Sequence, residues 1–166
     1  MKPVSAVDVA AYLLERAGGS MTAMKLQKLC YYSQAWTLVW TGKPLFNDEI
    51  QAWAKGPVIR SLFDQHRGKY TVASQHLTYG DPSRITTVQR KHIDSVWDAY
   101  GKMSPTQLSL LTHAEAPWQM ARGGTSEGQR GNATITPASM RDYYTSLASS
   151  DQAAHSPSDV NFPAWA

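Results

Sequence analysis

Three stretches of the sequence gather side chains that could carry chemistry. In LTHAEAPW (Leu111–Trp118), His113, Glu115 and Trp118 lie within a few residues of one another. An imidazole and a carboxylate so placed could move protons on a bound substrate. The same residues also have a structural use. Thr112 and His113 can satisfy carbonyls at a helix end, and Trp118 can anchor the kink that Pro117 imposes. A titratable pair alone does not make an active site, and the structural use is the expectation here. The second stretch, KLQKLCYYSQAW (Lys25–Trp36), holds the chain's one cysteine, Cys30, among tyrosines and a tryptophan. The third, ARGGTSEGQRGN (Ala121–Asn132), is rich in glycine. It lacks the G-K-[ST] and G-x-G-x-x-G patterns that cradle phosphate, so it reads as a loop.

Other chemistry is not supported. No G-x-S-x-G elbow is present, and a thiol in a central helix is packing rather than a nucleophile. The five histidines, at positions 66, 76, 92, 113 and 155, lack the close spacing of zinc ligands. The expectation is a protein without catalytic residues, metal or cofactor.

The elements that must position these residues are mostly helical. Ser5 with Asp8 is an N-cap with an acidic first turn, and Gly18-Gly19 is a stop. Thr22 caps a long helix over residues 23–41, closed by Gly42 and Pro44. At 100° per residue, Leu26, Leu29, Cys30, Trp36 and Trp40 fall on one side, with Met24, Tyr31, Ala35 and Leu38 opposite. A helix apolar on two sides is packed on two sides. KLQKLCYYSQAW is therefore mainly core, with Lys25 and Lys28 at its polar start. Ile50–Lys55 alternates like a short extended segment, and Gly56-Pro57 breaks it. Pro57 then suits the first position of a helix, PVIRSLFDQHRG. Residues 69–85 read as an irregular connection with short extended pieces. Thr86 or Thr87 caps a helix whose face holds Val88, Ile93, Val96, Trp97 and Tyr100. Ser104-Pro105-Thr106-Gln107 opens another as a capping box, with Leu108, Leu110 and Leu111 as its apolar residues, and Thr136-Pro137 starts the last. The fold class is mainly α: a single-domain bundle around the helix at 23–41, with a small two-stranded β element near 49–79. The domain runs over 1–148. Residues 149–166 read as a tail, and its Phe162 and Trp165 suit docking on the domain or on a partner.

Composition agrees with this organisation. A chain of 166 residues, 42% hydrophobic and 17% charged, can bury one stable core. The lone cysteine rules out an intramolecular disulfide and fits a reducing cytoplasm. A net charge of +3 is mild for a nucleic-acid binder, and the densest basic run is Arg90-Lys91-His92. Asp8 and Glu15 interrupt any signal-peptide core, and no apolar run reaches membrane-spanning length. The expected setting is cytoplasmic, with no membrane partner and no small-molecule substrate.

Three blocks, MTAMKLQKLCYYSQAW, TGKPLFNDEIQAWAKGPVI and LSLLTHAEAPWQMAR, occur in an order and spacing that resembles the Panacea domain. This is the SocA-like or GepA-like family of bacterial and prophage proteins, and the resemblance covers Val4 to Arg122. It implies an antitoxin that neutralises a toxin encoded beside it by direct protein binding, with no established catalytic residues. Leu26, Leu29, Tyr32, Trp36, Gly56, Pro57, Thr112, His113, Pro117 and Trp118 then read as scaffold. Candidate partner contacts are Lys25, Lys28, Trp53, Lys55, Val58, Phe162 and Trp165. Trp53 and Lys55 qualify because an extended segment beside a Gly-Pro break can expose its side chains. Alternatives on the same fold are an adaptor that delivers its partner to a protease, a phage-encoded defence-related interaction protein, and a regulator that binds its own operator DNA.

Overall fold

The centre of the molecule is a helix with almost no solvent-facing side. In the computed structural model, which describes residues 3–150, α1 spans Ala6–Arg16, β1 Ser20–Thr22 and α2 Ala23–Thr41. β2 (Ile50–Trp53), β3 (Gly56–Ile59), α3 (Arg60–His66) and β4 (Thr71–Ala73) follow. The described chain ends with α4 (Thr87–Tyr100), α5 (Pro105–His113), α6 (Ala116–Arg122), β5 (Thr134–Ile135) and α7 (Pro137–Ala148). Two 3-10 turns, Ser74–His76 and Pro82–Arg84, carry the connection to α4. Phe162, Trp165 and all but the first two residues of the tail lie outside the described residues.

α2 begins at Thr22, whose hydroxyl accepts from the Lys25 N–H, and ends at Gly42 in the left-handed region. Every residue from Leu26 to Leu38 is buried. α1, α4, α5 and α7 pack around it, together with β3. The capping boxes of Ser5 with Asp8, Thr86 with Gln89 and Ser104 with Gln107 all form, and Thr136 caps α7. Aliphatic and aromatic residues from all the α-helices join one core cluster.

The expected small β element near 49–79 is present, and it extends beyond that range and beyond two strands. There are two small antiparallel sheets among the described residues, one pairing β1 with β4 and one ordered β3-β2-β5. β1 and β5 are three and two residues long, too short to show an alternating pattern. Pro57 does not open a helix. It pairs with Ala52 inside β3, and α3 starts three residues later at Arg60. β3 is an edge strand, where a residue without an N–H is tolerated. Val88 and Leu110, expected on apolar faces, are exposed, because no element covers those sides of α4 and α5.

Candidate partner-binding groove

Three polar side chains of α2, Gln27, Lys28 and Gln34, hold the β2–β3 hairpin and the segment that leads into it. Gln27 sits on buried α2 and faces the edge of β3. Its Oε1 accepts from the Ile59 N–H at 2.8 Å, and its Nε2 donates to the Ile59 carbonyl at 3.3 Å. One amide thus does for Ile59 what a neighbouring strand would do. The same Nε2 lies 3.0 Å from His66 Nε2. The amide nitrogen is the donor, so the imidazole accepts there and carries its proton on Nδ1. Burial lowers the pKa of His66, which suits this neutral form. Two turns further along α2, Gln34 accepts from the Leu45 and Phe46 N–H groups and donates to the Phe46 carbonyl at 2.7 Å.

Lys28 completes the set and corrects an expectation. It does not stand on a polar start of the helix. Its side chain is 2% exposed, and Nζ donates to the Pro57 carbonyl at 3.1 Å. Burial pushes its pKa down to about 7. The end of the Lys28 side chain and the Thr112 hydroxyl crowd Gly56. A Cβ on Gly56 would stand 2.5 Å from Lys28 Cε and 2.9 Å from Thr112 Oγ1, and Gly56 has φ +122°. Gly56 is thus fixed both by its backbone and by the residues against it. Lys25 is half-buried and points elsewhere, donating to the Gly101 carbonyl beside the Trp97 ring.

The third sequence block fastens the other side of the hairpin. Trp118 Nε1 donates to the Trp53 carbonyl at 2.8 Å, and Ser109 Oγ donates to the Lys55 carbonyl at 2.7 Å. Arg122 donates to the Ala52 carbonyl and, through Nη2, to the carbonyls of Ser126 and Gln129. One guanidinium therefore ties the glycine-rich loop to β2.

His113 and Glu115 do not form an acid–base pair. His113 stacks on Trp118 with ring centroids 4.0 Å apart. Glu115 is buried, and its Oε1 accepts from Tyr32 Oη at 2.6 Å and Tyr144 Oη at 2.8 Å. The single Tyr144 proton goes to Glu115, so Tyr31 Oη, at 3.0 Å, donates to Tyr144. Burial raises the Glu115 pKa to about 7, against the lowering effect of the two phenols. Cys30 is buried as well, and burial raises its thiol pKa. Among the described residues no group of three or more His, Cys, Asp or Glu side chains stands together as a metal site.

The hairpin so held forms one wall of a groove of about 700 Å³. Gln51, Trp53, Ala54, Lys55 and Val58 come from the hairpin, Arg60, Phe63 and Arg67 from α3 and its end, and Arg130, Gly131 and Asn132 from the loop. Trp53 and Phe63 meet edge to face with centroids 4.9 Å apart, and the Arg67 guanidinium lies 4.9 Å from the Phe63 centroid. Three of the expected contacts, Trp53, Lys55 and Val58, are thus brought together. Sequence reasoning missed Arg60, Arg67 and Arg130. Arg60, Phe63 and Arg67 stand at i, i+3 and i+7, a spacing that marks one helical face. No periodic signal surrounds Arg130.

Residues 26–119 match the family described as Antitoxin SocA-like, Panacea domain. The chain is 30% identical over 137 residues to Antitoxin SocA of Caulobacter vibrioides (strain NA1000 / CB15N), covering 73% of this chain and 72% of that protein. No solved structure matches.

Proposed function

Since this chain belongs to the SocA-like antitoxin Panacea family, we propose that it is an antitoxin that neutralises a cognate protein toxin by binding it directly. Family membership supports the antitoxin role. The groove carries the proposal of direct binding. Its walls are pinned from behind by buried side chains, so a partner meets a preformed surface and little ordering cost. Trp53, Lys55 and Val58 are its contact residues, while the motif residues on α2, α5 and α6 are the support.

In this reading the protein is not an enzyme. Among the described residues, the one buried carboxylate with a strongly raised pKa, Glu115, is enclosed by tyrosines rather than opened to a substrate. No helix among the described residues is long and apolar enough to cross a membrane. The protein meets its toxin in the cytoplasm and blocks it by occlusion, without requiring a protease. The basic groove is the one feature that favours operator binding, so operator DNA belongs in the test as a competitor.

The test is co-expression with the product of the adjacent gene. That product should arrest growth alone and be harmless with this chain, and the two should co-elute on gel filtration. Continued arrest with this chain present, or rescue without a complex, would refute direct neutralisation.

A further inference from the structure

We propose that the groove is read by an acidic segment of the toxin that carries one large apolar anchor, an inference that rests on the antitoxin reading. Every charged side chain lining the groove among the described residues is a cation: Lys55, Arg60, Arg67 and Arg130. Asp64 stands outside the lining and accepts from Arg60 Nε and Arg67 Nη2, each at 3.1 Å, in exposed pairs that offset part of their charge. Lys55 and Arg130 have no carboxylate partner among the described residues. Gln51 Nε2 donates to the Glu49 carboxylate, which lies outside the lining. Gln51 Oε1 in turn accepts from Trp53 Nε1 at 2.8 Å. The indole N–H is therefore satisfied, and the Trp53 ring offers apolar surface beside Phe63 and Val58. Cations around an aromatic floor fit carboxylates flanking an apolar anchor.

The mode of recognition is also constrained. Gln27 and Lys28 already occupy the Ile59 N–H and the Ile59 and Pro57 carbonyls of the edge strand β3. A partner strand cannot pair there, so recognition falls to side chains. A single nucleic-acid strand is the rival occupant of a basic aromatic groove. Phe63 is already packed against by Trp53, His66 and Arg67, which leaves it poorly placed to stack a base.

The experiment measures binding to the purified full chain by fluorescence anisotropy. The probe is a labelled peptide of a dozen residues with several glutamates around a central tryptophan. Controls replace glutamate by lysine or tryptophan by glycine, and an oligo-dT of similar length tests the nucleic-acid occupant. The expected result is binding about tenfold tighter than either peptide control, weakened by salt. The pair Lys55→Glu and Arg130→Glu, both at exposed positions, should reduce it about tenfold with an unchanged melting temperature. Absent binding, equal binding of the lysine peptide, or oligo-dT binding in its place would overturn the proposal. Growth rescue separates the two levels. If the doubly reversed variant still neutralises as the parent does, the groove proposal falls and the antitoxin reading stands. If the parent never neutralises, the antitoxin reading falls whatever the peptide does.

Discussion

Lys28 Nζ donates to the carbonyl of Pro57 at 3.1 Å from a buried position on the central helix, with no carboxylate paired to it among the described residues. The contact ties α2 to the groove hairpin, and its consequence is a pH dependence. Burial depresses the folded-state pKa from 10.5 to about 7. Between those values the unfolded chain binds the proton and the folded chain does not, so stability rises with pH over that interval. Below about pH 7 that contribution is lost. Lys28→Met should abolish the rise. Urea titrations of both proteins from pH 7 to pH 10 measure it, and parallel curves would refute the assignment.

Glu115 has the opposite slope. Its folded pKa is raised from 4.5 to about 7, so between these values the folded state holds a proton that the unfolded state has released. The stability it confers is complete below about pH 4.5 and is lost as pH rises through 7, a change on the order of 3 kcal/mol. Glu115→Gln keeps an acceptor for Tyr32 and Tyr144 without the charge. The variant should gain on the parent as pH rises from 5 to 8, read from denaturation midpoints.

Gly56→Ala should cost about 3 kcal/mol, because a methyl group meets Lys28 and Thr112 in a backbone region that disfavours L residues. Gly68→Ala is the control. Its φ is also positive, +80°, but nothing lies within 4 Å of the added carbon. Its cost should be about 1 kcal/mol, so thermal melts should rank Gly56→Ala well below it.

Cys30 should resist a thiol reagent in the native protein and react fully in denaturant, since it is 0% exposed and burial disfavours its thiolate. Rapid native labelling would contradict the packing of α2.

The helices were legible because their signals are local. Thr22 and Gly42 bracket α2, and the Ser5, Thr86 and Ser104 caps lie beside the residues that they serve. What escaped depends on partners distant in sequence. Lys28 reads as an exposed helix-start lysine until Pro57, 29 positions on, is seen to accept from it. Pro57 suits both a helix start and an edge strand, and only its pairing with Ala52 decides. Trp53 and Lys55 were legible as candidates from their extended segment, whereas Val58, expected at a helix start, lies in β3. Arg130 joins them only because Arg122 folds the glycine-rich loop onto β2.

The most direct test of the account is a calorimetric titration of the purified, inactivated product of the adjacent gene into this chain. The account predicts one saturable complex, lost or strongly weakened by combining Trp53→Ala with Lys55→Glu while the fold persists. No complex with the parent chain, or equal affinity for the groove variant, would contradict it.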